Sequence, residues 1–475
     1  MSLFPPPYTS AGSRAVGIVA NAYGDPYSIR IMQGAAQELV EDGFHAVCCM
    51  GGFPSAPIFR DEQGEPCFPG ALDACILLCE TLRGSEAELE SAARKAQVAV
   101  TLGVRFEGVC SVTANVETGV FQAVAHLVKR HNRSRIAFIS GPDGSVDGER
   151  RLSAYRVALE SLGIAPDPAL LVAGDYETHS GREAIRQLRQ QHFDAIVAAN
   201  DLMAIGAVEA LQEAGLRVPE QVSIVGFDDI EEASFAAPSL STIRQPLHEQ
   251  GVSAGRLVAQ QLSRTGITRH EVVSAPFIVR ESCGCASAEA SERGSHPPGP
   301  NLDRDRGLLE DALRELVRRE LTAARLRREL ARVAGEILGA PDYPELAAAM
   351  TDVFGLLGLK RFWLCIYAGG QRHVRVVLES SGRGVIFRHH SQPFGVEELL
   401  PPTTLNPEKP CQLLVEPLEI AGEQLGYLVL EGNVRDAHAY LELRRHVSSA
   451  LGRLAYGREL RRLYASEKKR VHRGP

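Results

Sequence analysis

The chain has 475 residues, of which 44% are hydrophobic and 23% charged, and its formal net charge is −8 at pH 7. This length predicts about two to four globular domains, each able to bury a core. The acidic balance argues against nucleic-acid binding by the whole chain, because phosphate binding needs a concentrated basic face, but it leaves a local basic contact open.

The amino-terminal segment MSLFPPPYTSAGSR has neither the cationic nor the apolar region of a secretory signal, and no apolar run is long enough to cross a bilayer. The ten cysteines lie in apolar strands or in close pairs, such as Cys48-Cys49 and Cys283-Gly284-Cys285. This spacing favours reduced thiols over a disulfide framework. We therefore expect a cytoplasmic protein without membrane contact.

After a disordered leader, residues 1–13, buried strands alternate with helices, as in a doubly wound α/β lobe. The predicted strands are Ala15–Ala20, His45–Met50, Ala74–Cys79 and Val98–Leu102. Ser111–Asn115 is predicted to cross into a second lobe with strands at Arg135–Ser140, Leu170–Val172, Ala195–Ala199 and Val222–Val225. A return crossing at Thr242–Gln245, a helix at Leu247–Ser263 and a last strand at Val272–Val279 follow.

The stretch from Asp194 to Leu247 presents polar side chains at the ends of two buried strands. Asn200 and Asp201 follow one strand, and Asp228 and Asp229 follow the next. In open α/β sheets, ligands bind at the carboxyl ends of the strands. Two such lobes joined by crossings predict a hinged cleft for a small ligand.

Residues 286–303 are small, polar and Pro-rich, which predicts a linker. In residues 304–338, Leu309, Leu316, Ala323, Leu330 and Ile337 recur every seven residues. This repeat favours a short, dimeric coiled coil. The alternative is an amphipathic helix packed on its own carboxyl-terminal domain.

Residues 339–464 predict a smaller α+β domain, with a helix at Tyr343–Leu357, antiparallel strands and a long terminal helix. The predicted strands are Phe362–Tyr367, Val374–Glu379, Gln412–Pro417 and Leu425–Leu430. Residues 465–475 form a basic tail, for which a solvated surface is a simpler interpretation than a nucleic-acid or membrane contact.

Six segments of residues 14–285 resemble the sensor domain of the lactose/galactose repressor family (LacI/GalR), which is related to periplasmic sugar-binding proteins. They are AVGIVANAYGDPYSIRIMQGA, SVTANVETG, RIAFISGPDGSVDGERRLSAY, AIVAANDLMAIGAVEAL, VPEQVSIVGFDD and PSLSTIRQ. The resemblance implies a two-lobed α/β periplasmic-binding-protein-like domain that holds a sugar, nucleoside or purine. The implied ligand-binding residues are Ala22, Tyr23, Tyr27, Arg151, Asn200, Asp228 and Gln245.

Simpler interpretations exist for most of these residues. Asn200 could cap the following helix, Arg151 could be solvated or paired with Glu149, and the tyrosines could pack in the core. Asp228 is harder to explain in this way, because adjacent carboxylates at a buried strand end repel each other.

The chain departs from the family in three places. The helix-turn-helix and hinge helix of such repressors have no counterpart before the first sensor strand at residue 15, and the family motif D-N-E-x-G stands here as Asn115 to Gly119. The stretch from Gly51 to Gly70 also differs from the family's usual helix. The carboxyl-terminal segment LVEPLEIAGEQLGYLVLEG more loosely resembles a GAF domain, a small sensor fold of signalling proteins.

Motifs for phosphate-binding loops, zinc proteases and serine hydrolases are absent, so we expect a protein that is not an enzyme and has no cofactor. Cys283-Gly284-Cys285 alone, without a histidine partner, is a weak indication of a metal or redox site, and we expect no metal. The main hypothesis is a homodimeric ligand sensor whose closure is relayed through the coiled coil and the GAF-like domain with its terminal signalling helix to a downstream partner. The alternative is a transcriptional regulator that acts on DNA through its carboxyl-terminal region or a partner; a transport protein is disfavoured by the absent export signal.

Overall fold

The computed structural model describes residues 14–20, 26–50, 59, 72–82, 85–263, 268–286, 328–368, 372–381, 384–388, 391–401, 404–406, 408–432 and 439–455. The chain divides into two compact units. Unit 1 comprises Met1–Thr113, Leu247–Glu271 and Leu302–Pro475, and unit 2 comprises Ala114–Pro246 and Val272–Asn301. None of the described helices is long and apolar enough to cross a membrane.

The strands, in chain order, are β1 (Ala15–Ala20), β2 (His45–Met50), β3 (Ala74–Leu78), β4 (Ala99–Leu102), β5 (Cys110–Asn115), β6 (Ile136–Ser140), β7 (Leu171–Ala173), β8 (Ala195–Ala198), β9 (Ser223–Asp228), β10 (Ser241–Arg244), β11 (His270–Ser274), β12 (Phe277–Ile278), β13 (Arg361–Ala368), β14 (His373–Ser381), β15 (Gly384–Phe387), β16 (Phe394–Gly395), β17 (Gln412–Ile420) and β18 (Glu423–Glu431). The helices are α1 (Pro26–Glu41), α2 (Glu86–Lys95), α3 (Val116–His131), α4 (Val146–Ser161), α5 (Thr178–Leu188), α6 (Asp201–Glu213), α7 (Glu231–Phe235), α8 (Leu247–Ser263), α9 (328–339), α10 (Tyr343–Leu356) and α11 (439–455).

Unit 2 is built on a six-stranded sheet in the order β12-β10-β9-β8-β6-β7. All its described pairings are parallel except that of β12 with β10. The central strands are continuous apolar runs because helices cover the sheet, and every residue of β8 is buried. Parallel pairing places the carboxyl ends of β8 and β9 at the same edge.

Unit 1 contains a twelve-stranded sheet in the order β11-β5-β4-β3-β1-β2-β17-β18-β13-β14-β15, with β16 beside β14. Strands β1 to β5 pair in parallel, and β13 to β18 pair with one another antiparallel. Helices α1 and α8 pack closely because both have glycine at their contact. A Cβ atom on Gly34 would lie 2.2 Å from the His248 carbonyl oxygen, and one on Gly251 would lie 2.0 Å from that of Ile31.

Strands β2 and β17 join the two halves of this large sheet. They pair in parallel, with Val47 opposite Leu413 and Cys49 opposite Val415. These four side chains belong to one buried cluster that also contains side chains from β1, β13 and β18. The carboxyl-terminal strands thus continue the sheet of the first lobe and share its core, which the sequence did not predict.

Two details differ from the expectations, and one expectation is not tested. The strand predicted at Val272–Val279 is two strands, β11 and β12, in different sheets, because Ala275 and Pro276 interrupt it. Strands β15 and β16 were not predicted, since each is short and pairs only with β14. Most of the predicted coiled coil lies outside the described residues.

The described part of that helix, α9, buries several of its apolar side chains within one chain, whereas Leu338 is 40% exposed. Val333 is 1% exposed and Ile337 is 2% exposed. The Ala340 carbonyl, just after α9, accepts a hydrogen bond of 2.6 Å from Nη2 of Arg453 on α11. For α9, this favours the alternative of an amphipathic helix packed on its own carboxyl-terminal domain; the coiled coil stays a prediction.

Candidate functional site

Four of the predicted ligand-binding residues lie at the carboxyl edge of the unit 2 sheet. Arg151 lies in the second turn of α4, Asn200 follows β8, Asp228 ends β9 and Gln245 follows β10. The main-chain N–H of Gln245 donates to the Asp228 carbonyl at 3.4 Å, and Nη1 of Arg151 donates to the Ala199 carbonyl, next to Asn200, at 2.5 Å. The fold therefore gathers these four residues from separate elements.

Arg151 is the best-defined member of this group. It is 5% exposed, and its guanidinium carbon lies 3.9 Å from the centre of the Phe227 ring. Its Nη1 lies 3.7 Å from a carboxylate oxygen of Asp228, which is too long for a hydrogen bond. Its buried Nε has no hydrogen-bond acceptor among the residues that the structure describes. A buried N–H of a cation without an acceptor is costly, so this group is suited to a ligand oxygen.

The paired carboxylates Asp228 and Asp229 have different surroundings. Asp229 is held by two cations, with Nε of Arg244 and Nη2 of Arg280 each 2.6 Å from its carboxylate. The side chain of Asp228 is 30% exposed, whereas that of Asp229 is 8% exposed. The arginines on Asp229 explain how two adjacent carboxylates coexist, and they leave Asp228 as the more accessible of the two.

The backbone at Asp228 is strained. Its φ is 113° and that of Asp229 is 60°, two successive values that side chains other than glycine rarely adopt. Such a conformation costs about 1–3 kcal/mol and is found preferentially at ligand sites. The strain supports the assignment of Asp228 to a site.

Asp201, the other polar residue that follows β8, is a fully buried carboxyl group. One of its oxygens accepts from the Thr242 hydroxyl at 2.6 Å, and the other accepts from the Ile230 N–H at 3.0 Å. Burial raises the pKa of Asp201 to about 7, and the nearby Asp228 acts in the same direction. It therefore ties β8, β10 and the loop after β9 together beneath the site.

Asn200 caps α6, as its simpler interpretation predicts. Its Oδ1 accepts from the Met203 N–H at 3.0 Å, and its Nδ2 donates to the Tyr176 carbonyl at 2.7 Å. Tyr176 has a φ of 70°, and its hydroxyl lies 2.8 Å from Oγ of Ser145. Neither Tyr176 nor Phe227 was predicted at the site. No sequence pattern announces a left-handed tyrosine, whereas Phe227 stands next to Asp228 and could have been considered.

The other three predicted residues cannot be assigned to this group from unit 2 alone. Tyr27 lies in α1 of unit 1, where its hydroxyl donates to the Glu80 carboxylate. Ala22 and Tyr23 lie outside the described residues. The carboxyl edge of unit 2 thus combines a buried cation over an aromatic ring with a partly exposed carboxylate, a pair suited to hydroxyl groups on a neutral ligand.

A second polar cluster in unit 2 consists of residues of the types that bind metal ions. His126, His131, Cys283 and Cys285 bring their ligand atoms within 4.8 Å of one another. The sequence reasoning found no histidine partner for the two cysteines, because the histidines lie more than a hundred residues earlier in the chain.

The chain is similar to known proteins over part of its length. Residues 124–283 match the model of the periplasmic binding protein-like domain. The ribose operon repressor of Escherichia coli (strain K12) is 27% identical over 270 residues, which cover 56% of this chain and 81% of that repressor. The HTH-type transcriptional regulator CelR of Thermobifida fusca is 38% identical over 186 residues, covering 38% of this chain and 54% of the regulator.

Among solved structures, a complex of the transcriptional regulator CelR with cellobiose has a TM-score of 0.48 and 29% identity, and the match covers 58% of this chain and 86% of that one. These relatives are named as repressors and regulators, not as enzymes.

Proposed function

We propose, from the premise that this chain carries a LacI/GalR-type periplasmic-binding-protein-like sensor domain, that it is a regulator responsive to a small sugar-like or nucleoside-like ligand. The single observation that carries the proposal is the buried Arg151, whose Nε lacks an acceptor among the described residues. Asp228, at the same sheet edge, would accept hydrogen bonds from ligand hydroxyls.

The chemistry of these groups limits the ligand class. A guanidinium donates to two neighbouring oxygens, and a carboxylate accepts from two neighbouring hydroxyls, so together they recognise a vicinal diol. Sugars and the ribose of nucleosides both carry such a diol. A purine base would instead use its ring nitrogens, and we keep it as a third class for the experiment.

We propose that the ligand acts by stabilising one arrangement of the two lobes, since a ligand with equal affinity for two states shifts neither. The change would pass to the carboxyl-terminal GAF-like region and its last helix, and from there to a downstream partner. The pairing of β2 with β17 supports a direct route for this change within unit 1. We propose it in addition to the route through the predicted coiled coil of a homodimer.

A thermal-shift screen of the purified protein against sugars, sugar phosphates, nucleosides and purines tests the ligand proposal. We expect one class to raise the melting temperature of the wild type and to lose its effect in Arg151→Ala. The matched control is Arg182→Ala, because Arg182 also lies in unit 2 but binds Glu209 and Glu213 at the surface. Stabilisation that survives in Arg151→Ala would exclude this site.

The second candidate function is a transcriptional regulator that contacts DNA through its carboxyl-terminal region or a partner. The names of the relatives favour it. A gel shift at low salt with the full chain and with a chain truncated after Leu454 distinguishes the two functions. A shift that the truncation removes would support DNA contact by the basic tail. If the full chain gives no shift, a protein partner is favoured.

A further inference from the structure

The cluster of His126, His131, Cys283 and Cys285 has the composition of a metal site. The Nε2 atoms of the two histidines lie 3.1 Å apart. Nε2 of His126 lies 3.4 Å from the sulfur atoms of both cysteines, and Nε2 of His131 lies 3.5 Å from that of Cys285. Four atoms of the kinds that bind metals therefore converge on one point.

These separations fit a single tetrahedral zinc ion. Zinc binds imidazole nitrogen at about 2.0–2.1 Å and thiolate sulfur at about 2.3 Å, so a tetrahedron places nitrogen atoms roughly 3.3 Å apart and nitrogen and sulfur roughly 3.6 Å apart. The four distances given above differ from these values by about 0.2 Å or less, and the other two pairs of ligand atoms lie within 4.8 Å of each other.

The backbone at Gly284 independently supports the view that these four residues form a binding site. Its φ is 111°, and a Cβ atom at this position would lie 2.8 Å from Nδ1 of His131. Only glycine therefore allows the chain between the two cysteines to turn back while the His131 ring lies against it. The turn points both sulfur atoms toward the histidines.

The surrounding structure holds the ligands in place. The Cys283 carbonyl accepts from the Ser223 hydroxyl at 2.8 Å, and the neighbouring Ser282 hydroxyl donates to the Ile224 carbonyl at 2.7 Å. The His126 ring packs edge-on against Phe277, with 5.2 Å between the ring centres. Both histidines lie on α3, so the cluster connects the end of that helix to the turn after β12.

We propose that these four residues bind one structural zinc ion with two histidine nitrogens and two thiolates. Each cysteine loses one proton when the ion binds, and the resulting site is electrically neutral. All four positions are filled by protein, which is the arrangement of structural rather than catalytic zinc. The ion would fasten the last described segment of unit 2 to α3.

The spacing also argues against two other occupants. A two-iron cluster with two histidines and two cysteines holds the two pairs on different irons, and four ligand atoms within 4.8 Å leave room for one ion. A disulfide between Cys283 and Cys285 would leave the convergence of two imidazole nitrogens unexplained. Both occupants are outcomes of the test.

The test begins with the metal content of the untagged full-length protein, measured by mass spectrometry. We expect about one zinc per chain, and at least about tenfold weaker zinc binding in Cys285→Ser and in His131→Gln, since even outer partners of zinc ligands contribute about 10–100-fold. Cys49→Ala and His179→Gln are controls of the same residue types outside the cluster and should keep the zinc.

Cobalt replacement gives a second readout that does not depend on the stability of a variant. Co²⁺ added to the wild-type protein after removal of zinc should give the visible absorption of a tetrahedral site with a thiolate charge-transfer band. Any of four results would overturn the proposal. They are a zinc content of the wild-type protein no higher than that of Cys285→Ser, a cobalt spectrum without the charge-transfer band, bound iron in place of zinc, and a mass loss that shows a Cys283–Cys285 disulfide.

Discussion

The guanidinium of Arg151 lies over the ring of Phe227, with 3.9 Å between its central carbon and the ring centre. The next residue, Asp228, places a carboxylate oxygen 3.7 Å from Nη1 of the same guanidinium. One strand end thus supplies both the apolar and the charged neighbour of the buried cation.

Replacement of Asp228 with asparagine should weaken ligand binding without unfolding the protein. An amide keeps the size of the side chain, but it loses one acceptor and the negative charge, so we expect affinity for the ligand found in the screen to fall roughly 10- to 100-fold. Isothermal titration measures this loss. Asp167→Asn, at a surface ion pair with Arg135, is the control; equal affinity in Asp228→Asn and the control would contradict the assignment.

The stability of unit 2 should depend on the protonation of Asp201. The pKa of Asp201 is raised to about 7 in the folded protein, whereas its value in the unfolded chain is about 3.9. The folded state then binds more protons than the unfolded state between these values, so its stability falls as pH rises from about 4 to about 7 and stays level above. The full difference between these two pKa values corresponds to a loss of roughly 4 kcal/mol in the free energy of unfolding.

Urea unfolding of the wild type and Asp201→Asn over this pH range measures the effect. The asparagine can still accept from the Ile230 N–H, and the Thr242 hydroxyl can turn to accept from its amide. We expect the variant to lose the pH dependence and to be the more stable protein at pH 7. Parallel pH profiles for the two proteins would show that Asp201 does not titrate in this range.

Val47 and Leu413 should be energetically coupled, because they face each other across β2 and β17 and share one buried cluster. Each change to alanine should cost about 2–4 kcal/mol or somewhat less for the smaller valine. The loss in free energy of unfolding of the double variant should then differ from the sum of the two single losses by at least about 0.5 kcal/mol. Val47→Ala combined with Leu188→Ala, in the core of unit 2, is the additive control; additivity in both pairs would contradict the shared core.

Replacement of either of two helical glycines with alanine should change the stability of the protein, but in opposite directions. At Gly251 the new methyl group would meet the Ile31 carbonyl at 2.0 Å, so α1 and α8 must separate and the protein should lose about 1–3 kcal/mol. Gly335 in α9 has no neighbouring atom within 4 Å of the added group, so alanine there should stabilise by up to about 1 kcal/mol. Melting temperatures of the two variants test this contrast.

The sequence predicts the strands of the two lobes well, because a buried parallel strand is a continuous apolar run. Ala15–Ala20 and His45–Met50 are confirmed to the residue. It also points to the sheet edge that carries Asn200 and Asp228, since parallel strands end on one side, whereas Arg151 and Gln245 were implied by the family resemblance.

The sequence does not predict contacts between residues that are distant in the chain. Nothing local in HLVKRH or SCGC indicates that His126 will meet Cys283, and nothing in β2 indicates that its free edge will pair with β17. The break of Val272–Val279 into two strands was within reach, because proline at 276 cannot donate in a sheet.

The pairing of β2 with β17 also has a consequence for the order in which the protein can fold during synthesis. Strand β2 ends at Met50, but its partner strand begins only at Gln412. Until the ribosome has released that later segment, the edge of β2 presents unpaired main-chain groups, which are a site for association with other chains. Synthesis at about 5–20 residues per second makes this interval on the order of half a minute. We therefore expect the nascent chain to rely on chaperones, and chains shortened before β17 to aggregate.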